Sequence, residues 1–263
     1  MTYLIKEKLY RIMIELTNGP FTSKILQKFT QSKWSRRLIP LYMKTYNISS
    51  DELSLPLDAY PSLQEFFIRK LKDNARTITE GEKTIISPVD GVLEDWGNIT
   101  PDTQMLVKGK PYSIEEMLGS KEKADEYAGG KFILLYLSPA HYHRIHSPLA
   151  GKVVSTYSLG SKSYPVNRLG ISLGKSPLSK NFRLVSEFEN EERKFALVKI
   201  GAMFVNSIEW TCKNENVIKG EELGYFSFGS SVVLLFPKGY MEIDQNLKRG
   251  TPVLMGTNIG RVK

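Results

Sequence analysis

From Thr84 onward the chain consists of short strand-like runs, and this pattern constrains the fold more than any other feature of the sequence. Turn-forming residues interrupt the runs at intervals of roughly 8–12 residues, a spacing typical of an all-β or α+β core. The candidate strands are residues 91–94, 131–137, 151–158, 182–188, 194–205, 208–213, 223–228 and 231–236. Asn190-Glu191-Glu192 has the composition of a hairpin connection, and Ser113-Ile-Glu-Glu116 is a capping box that opens a short helix.

The first fifty residues have a helical pattern instead. They predict two or three helices, with a stop signal near Asn18-Gly19-Pro20. The sequence therefore predicts an α+β fold with a helical N-terminal arm, residues 1–50, followed by a β-rich body, residues 51–263.

The positive charge of the chain is concentrated in this arm. The formal net charge is +8, and residues 1–50 hold nine Lys and Arg against two Glu, so the arm carries +7 and the rest of the chain +1. A basic arm of this kind suits an anionic surface, either nucleic acid or lipid headgroups.

The apolar side chains of the arm favour the lipid surface. On a helical wheel one broad apolar face is formed by Ile5, Leu9, Ile12, Met13 and Leu16. Aromatic and basic residues follow it, namely Phe29, Lys33, Trp34, Arg36 and Arg37. This mixture is typical of a helix lying in the membrane interface, although a helix packed on its own domain remains an alternative.

No apolar run approaches the roughly 18–20 residues that a membrane-spanning helix needs. Charges at Lys6, Glu7 and Lys8 also interrupt any signal-peptide core. We therefore expect a peripheral protein on the cytoplasmic side of the cell membrane, with no nucleic-acid partner.

All three histidines, His141, His143 and His146, lie in one short segment that Pro139 and Pro148 bracket. The prolines predict a constrained loop rather than a regular element. The histidines could be metal ligands, general acid/base groups or members of a polar loop. No acidic residue stands nearby and the usual ligand spacings are not met, so we expect no metal site. Three groups that titrate near neutral pH favour acid/base chemistry.

A Gly-Ser pair at Gly229-Ser230 is a second candidate. Such a pair is weak evidence alone, since Gly119-Ser120 and Gly160-Ser161 also occur. Aromatic residues precede Gly229 and a continuous apolar run follows Ser230, which predicts a buried and rigid setting.

A lone carboxylate, Asp90, lies in Ser87-Pro-Val-Asp-Gly91 at a tight turn leading into a strand. From the residues alone, an aspartate that hydrogen-bonds its own turn is the favoured interpretation, because Asp-Gly is a common turn dipeptide.

Taken together and in this order, three segments resemble the signatures of the phosphatidylserine decarboxylases: residues 87–91, residues 137–146 (Leu-Ser-Pro-Ala-His-Tyr-His-Arg-Ile-His) and residues 228–231 (Phe-Gly-Ser-Ser). Residues 60–69, 164–167 and 201–208 also look like family segments, so the resemblance runs from about residue 45 to the C-terminus. One departure is Ser231, where the family often has Thr; a hydroxyl is retained, and we expect little consequence.

The resemblance implies that the body is a decarboxylase catalytic domain that cleaves itself between Gly229 and Ser230. By position, Asp90, His146 and Ser230 match the family's self-cleavage triad, in which a carboxylate orients a base that activates the serine. Cleavage would give chains 1–229 and 230–263, which would stay associated as a heterodimer and could dimerise further. Ser230 would become a covalently bound pyruvoyl group, the cofactor of the enzyme.

The family's reaction converts phosphatidylserine, held in an anionic membrane, to phosphatidylethanolamine and CO₂. By resemblance, the pyruvoyl carbonyl at Ser230 would form a Schiff base with the substrate amine, and His143 would donate the proton that replaces CO₂. Arg69 and Arg144 could meet the substrate's phosphate or carboxylate, or form structural ion pairs. The residues that would line the substrate pocket are Tyr164, Val166, Asn167 and Met203.

Three other interpretations remain open. A related decarboxylase could act on another seryl lipid or on a soluble amino acid, although a soluble substrate gives no reason for the basic arm. A non-catalytic membrane-binding or biotinyl-like carrier domain would need a lysine in a tight turn, which is not evident. A metal-dependent hydrolase using the histidines would contain stoichiometric metal.

Overall fold

The computed structural model describes residues 20–166, 170–171, 176–202, 208–227 and 230–263. The described part of the arm consists of α1 (Pro20–Gln31), a 3₁₀ helix (Lys33–Leu38) and α2 (Ile39–Tyr46). The later helices are a 3₁₀ helix (Leu57–Ala59), α3 (Leu63–Phe67), α4 (Ile114–Leu118), α5 (Lys121–Asp125) and α6 (Pro177–Lys180). The predicted apolar face at residues 5–16 and the residues Asn18 and Gly19 of the stop signal lie outside the described residues.

Strands are the main regular elements of the body. In chain order they are β1 (Thr84–Ile86), β2 (Gly91–Asn98), β3 (Gln104–Val107), β4 (Lys110–Ser113), β5 (Lys131–Leu137), β6 (Arg144–His146), β7 (Gly151–Leu159), β8 (Arg183–Asn190), β9 (Arg193–Gly201), β10 (Ile208–Trp210), β11 (Asn216–Val217), β12 (Glu222–Phe226), β13 (Ser230–Phe236), β14 (Met241–Ile243), β15 (Pro252–Val253) and β16 (Asn258–Val262). The α+β class, with a helical segment before a β-rich body, is thus confirmed.

One antiparallel eight-stranded sheet organises the body, in the order β11-β7-β8-β9-β13-β5-β2-β15. Two three-stranded sheets, β10-β12-β6 and β1-β16-β14, and the hairpin β3-β4 complete the described strands. The site discussed below lies where the large sheet meets the sheet β10-β12-β6.

Strand β13 lies inside the large sheet, paired with β9 on one edge and β5 on the other. All seven of its residues are buried. Val232 and Leu234 belong to one hydrophobic cluster, and Val233 and Leu235 belong to a second cluster. Because successive side chains of a strand point to opposite faces, β13 is covered on both faces, which explains its continuous apolar sequence.

The arm packs on the body through a third, smaller cluster. Its buried members are Ile39, Leu53, Tyr60, Leu63 and Phe66. Two hydrogen bonds add to this packing: the N–H of Leu63 donates to Ser35 Oγ at 2.9 Å, and the Tyr42 hydroxyl donates to the Pro139 carbonyl at 2.7 Å. Pro139 opens the histidine segment, so the arm also contacts the candidate site.

The predicted strands are confirmed, with different ends. The run at 131–137 matches β5, whereas the run at 194–205 gives β9, which ends at Gly201. The predicted hairpin is also confirmed: Asn190 pairs with Arg193, and Glu191 and Glu192 adopt φ angles of 48° and 60°. Two successive residues in the left-handed region form a two-residue turn, and the twist of this turn matches the right-handed twist of the flanking strands. Of the predicted capping box, the N-cap bond is present, since the Glu116 N–H donates to Ser113 Oγ at 3.1 Å, whereas the Glu116 carboxylate accepts from the Ser179 hydroxyl.

The prediction that the whole histidine segment is irregular was wrong for its last part. Residues 138–143 have no regular structure, but 144–146 form β6, which pairs antiparallel with β12. The pairing partner is far away in sequence, and three residues are too few to show a strand periodicity. His146 is therefore fixed by a strand rather than by a loop.

Candidate active site

Ser230 is the first residue of β13, and its backbone is paired with the last residue of β5, Leu137, and the last residue of β9, Gly201. The histidine segment begins directly after Leu137, so the sheet places this segment beside Ser230. The side chain of Ser230 is fully buried, and its Oγ has no hydrogen-bond partner among the described residues. The other predicted cleavage residue, Gly229, lies outside those residues.

His143 is also completely buried, and its ring lies 4.0 Å from the ring of Phe67, centroid to centroid. Its Nδ1 lies 2.8 Å from the His141 carbonyl. A carbonyl can only accept, so Nδ1 carries the proton and Nε2 has the free lone pair. In the described part of the chain nothing hydrogen-bonds to this Nε2. Burial lowers the pKa of His143 well below its ordinary value, and the charge of Arg69 lowers it further.

His146 is held on β6 by main-chain groups. Its N–H donates to the Pro88 carbonyl at 2.8 Å, and its Nδ1–H donates to the Gly220 carbonyl at 2.8 Å. Nε2 is then the acceptor and receives the Tyr142 hydroxyl at 3.1 Å. Burial is the main cause that lowers the pKa of His146, so the ring is neutral near pH 7 with its Nε2 lone pair directed at Tyr142.

Asp90 is buried and binds two partners. Arg76 donates Nε to Oδ1 at 2.9 Å and Nη2 to Oδ2 at 2.6 Å, and the N–H of Met255 donates to Oδ1 at 2.8 Å. No hydrogen bond joins Asp90 to His146 among the residues that the structure describes. The negative charge of Asp90 nevertheless acts on His146 and favours its protonated form. The structure thus brings the two residues into one electrostatic cluster without the direct contact that the resemblance implied.

Sequence reasoning missed Arg76. It lies 14 residues before Asp90, outside every motif, and no periodicity marks it. Only the fold brings its guanidinium to the carboxylate. It also missed Asn181, whose side-chain N–H groups donate to the carbonyls of Tyr164 at 2.7 Å and Gly201 at 2.8 Å.

The predicted substrate residues are only partly described. Tyr164 and Val166 are buried, and Asn181 links Tyr164 to Gly201, the residue paired with Ser230. Asn167 and Met203 lie outside the described residues.

The other polar residues singled out from the sequence, His141, Arg144 and Arg69, make structural contacts. His141 lies in the irregular stretch, where its Nδ1 accepts the Ser138 N–H at 2.9 Å. Arg144 forms an ion pair with Glu222 at 2.5 Å, and Arg69 is buried and donates to the carbonyls of Ala140 and His141. Across the described ranges, no group of three or more His, Cys, Asp or Glu side chains could hold a metal ion.

Comparison with known proteins gives a consistent result. The family model described as phosphatidylserine decarboxylase matches residues 63–261. A protein of Geobacillus sp. (strain WCH70) is 52% identical over 255 residues, covering 97% of this chain and 98% of the relative. A protein of Anoxybacillus flavithermus is 53% identical over 252 residues, covering 96% of this chain and 95% of the relative. Both relatives are named phosphatidylserine decarboxylase proenzyme.

The hydrogen bonds of the three histidines predict their proton states. We expect all three to titrate below 6.5, because burial is the largest cause that lowers each pKa. His143 and His146 should carry the neutral-state proton on Nδ1, and His141 on Nε2. Ring ¹⁵N chemical shifts measured between pH 5 and 8 test both points. The control is the same chain in denaturant, where all three should titrate near the ordinary value; a folded His143 that protonates at 6.5 or above contradicts the expectation.

Proposed function

The chain belongs to the phosphatidylserine decarboxylase family and is a decarboxylase, and from this premise we propose that it generates its own pyruvoyl group by cleavage between Gly229 and Ser230. With this group it converts phosphatidylserine to phosphatidylethanolamine and CO₂. The two steps use different histidines, His146 for self-cleavage and His143 for decarboxylation.

The observation that supports the proposal most directly is the environment of Ser230. Leaving a buried hydroxyl without a hydrogen bond costs about 1–3 kcal/mol. Among the described residues Ser230 Oγ is such a group, at the junction that the family resemblance marks for cleavage. A hydroxyl that no hydrogen bond holds in place is available to attack the preceding carbonyl.

Self-cleavage begins when Ser230 Oγ attacks the carbonyl carbon of Gly229. His146 Nε2 takes the hydroxyl proton once the Tyr142 hydroxyl gives up that position, and it passes this proton to the amide nitrogen of Ser230, which leaves as a free amine. The peptide bond has then become an ester. Loss of the Ser230 α-proton expels the carboxylate of Gly229 and leaves dehydroalanine at residue 230, with its amino group free. This tautomerises to an imine, and one water molecule then releases ammonia and leaves the pyruvoyl ketone.

The site fits a pyruvoyl group. Residue 230 is buried, the Nε2 of His143 has no partner within the described part of the chain, and the surrounding clusters exclude water. The group, once formed, withdraws electrons from the substrate while CO₂ leaves. His143 is neutral with an accepting Nε2, so we assign it the proton that the substrate ammonium loses on binding. The same atom returns this proton to the substrate carbon.

The cleaved chains are expected to remain together. The short chain, residues 230–263, contains β13, β14, β15 and β16. In the large sheet β13 stays between β9 and β5, and β15 stays paired with β2, while β16 remains paired with β1. Cleavage before β13 removes none of these pairings.

The arm is proposed to hold the enzyme on an anionic membrane. No helix in the described residues is long and apolar enough to span a bilayer. The arm does expose large apolar side chains, namely Ile25, Phe29, Trp34, Leu38 and Leu41, with Trp34 70% exposed. The guanidinium of Arg37 lies 4.6 Å from the centre of the Trp34 ring. Because Ile39 and its neighbours face the body, the arm has one packed side and one apolar, basic side suited to a lipid interface.

Ser230→Ala should abolish self-cleavage. The parent chain should give fragments of residues 1–229 and 230–263, while the variant should remain one chain of 29.9 kDa. Ser161→Ala, at another Gly-Ser pair but exposed, is the matched control and should cleave like the parent. Intact-mass spectrometry of the parent chain and both variants measures cleavage. An uncleaved but fully active parent chain would falsify the proposal.

His143→Ala should cleave normally but decarboxylate about 10²–10⁴ times more slowly, the usual contribution of a positioned acid/base group. CO₂ release from phosphatidylserine micelles provides the rate, and mass spectrometry confirms that cleavage has occurred. His141→Ala is the control: among the described residues the His141 ring hydrogen-bonds only to Ser138, and the variant keeps the main-chain carbonyl that accepts from His143. Near-parental turnover by His143→Ala removes this histidine from the mechanism.

Replacing two exposed apolar residues of the arm should weaken membrane binding. Trp34→Ser with Leu41→Ser is expected to reduce binding to phosphatidylserine-containing vesicles by about tenfold or more, because each buried apolar side chain contributes roughly 1.5–3 kcal/mol. Leu106→Ser with Leu254→Ser, two similarly exposed leucines of the body, is the matched control. Vesicle co-sedimentation gives the partition coefficients, and equal loss in both pairs contradicts a specific role of the arm.

A further inference from the structure

Arg76 binds Asp90 in a way that uses the whole carboxylate. The Arg76 Nε lies 2.9 Å from Oδ1 and 3.1 Å from Oδ2, and Nη2 lies 2.6 Å from Oδ2. With the Met255 N–H on Oδ1, each oxygen accepts from two N–H groups. The Arg76 side chain is 8% exposed, so this ion pair is shielded from solvent.

Other contacts fix Arg76 itself. Its Nη1 donates to the Ala75 carbonyl at 2.6 Å, and its Nη2 also reaches Glu52 at 3.0 Å. Burial by itself lowers the pKa of Arg76, but the hydrogen bonds to Asp90 and Glu52 more than offset this and raise it. The guanidinium is therefore a permanent positive charge in a fixed orientation.

The two carboxylates near His146 each form an ion pair with an arginine. Facing it are Asp90, Glu222, Arg144 and the Tyr142 hydroxyl. Glu222 lies directly opposite His146 in the β6-β12 pairing and is bound by Arg144. Asp90 is bound by Arg76 in the same manner. Each carboxylate that acts on His146 thus has an arginine partner.

Gly220 takes over the role that a carboxylate usually has toward a catalytic histidine. Its carbonyl accepts the Nδ1–H of His146 and so selects the tautomer with Nε2 as the base. Asp90 is then left to act on His146 through its charge alone, and Arg76 sets how much of that charge remains.

We propose that Arg76 is a positioning residue of self-cleavage, which holds Asp90 and limits how strongly its charge acts on His146. The assignment rests on the proposed function, because it takes His146 as the base. A base must be neutral to accept the serine proton. A carboxylate near His146 that lost its arginine partner would favour the protonated imidazole more strongly, which would oppose the effect of burial.

Arginine is suited to this position in a way that lysine is not. Its planar fork presents two N–H groups to both carboxylate oxygens, which fixes the position of the charge as well as its magnitude. Lysine would supply the charge as a single point without this orientation. Arg76→Lys should therefore retain the proton state of His146 but lose part of the cleavage rate.

The test measures His146 directly in the uncleavable Ser230→Ala chain. Arg76→Gln in that background should raise the NMR titration midpoint of His146 by about one unit, the size expected when a nearby carboxylate loses its counter-charge. Arg249→Gln is the matched control, because it removes an arginine from another buried carboxylate, Asp95, that does not face His146. With only three histidines in the chain, the signals are assigned by single substitutions.

Two further variants, in which residue 90 is neutral, test the proposal even if Arg76→Gln alone does not fold. Asp90→Asn should lower the midpoint, because the positive charge of Arg76 is then uncompensated, and Arg76→Gln with Asp90→Asn should return it toward the value of the background chain. This double variant leaves no charge at residue 76 or residue 90, so we expect it to fold and to stay measurable if Arg76→Gln alone does not fold. An unchanged His146 midpoint in Arg76→Gln or in Asp90→Asn, or a double variant that keeps the lowered midpoint of Asp90→Asn, overturns the proposal.

In chains that retain Ser230, the pH dependence of the self-cleavage rate tests the functional consequence of the proposal. Neutral His146 is the active form, so cleavage rises as the pH passes its pKa. In Arg76→Gln this rise should occur about one pH unit higher than in the parent chain. A slower rate with the rise at the same pH means a merely structural role and contradicts the proposal. Because the titration uses an uncleavable chain, it remains valid even if the cleavage reaction is not the one proposed.

Discussion

The burial of β13 on both faces is the constraint on which the rest of the structure depends. A strand with neighbours on both edges and hydrophobic clusters on both faces has little freedom to shift its register. Its first residue, Ser230, is therefore held at a fixed point between the ends of β5 and β9. The position of the Ser230 hydroxyl follows from the packing of the whole sheet rather than from local loop geometry.

The same burial sets the proton chemistry. Removing the histidines from water disfavours their charged forms, and desolvation is the largest cause of the lowered pKa at each of them. Main-chain carbonyls then select the tautomers of His143 and His146, so two accepting Nε2 atoms result without a hydrogen-bonded carboxylate. Charges do occur around His146, and the two carboxylates, Asp90 and Glu222, form ion pairs with Arg76 and Arg144.

Sequence reasoning succeeded where local patterns determine structure. Three features each depend on neighbouring residues in the sequence. They are the apolar runs of β5 and β13, the N-cap at Ser113 and the two-residue turn at Glu191 and Glu192. It failed where partners are distant. Strand β6 exists only because β12 lies beside it, and Arg76 reaches Asp90 only through the fold. The partners that orient His146 at its ring nitrogen and backbone, Gly220 and Pro88, are main-chain carbonyls, which no motif of side chains can reveal.

A chain that cuts itself must keep the cut ends in place, and the site of the proposed cleavage satisfies this requirement. The bond lies directly before a strand that pairs with a neighbour on each edge, so the proposed cleavage removes the peptide link and the N–H of residue 230 but leaves the pairing from Ser231 onward intact. The three later strands of the short chain are also paired with β1, β2 or each other. The interior position thus serves two purposes: it fixes Ser230 before cleavage, and it retains the new N-terminus between the ends of β5 and β9 afterwards. An edge strand would provide neither, since half of its backbone groups would be unpaired and the short chain could dissociate.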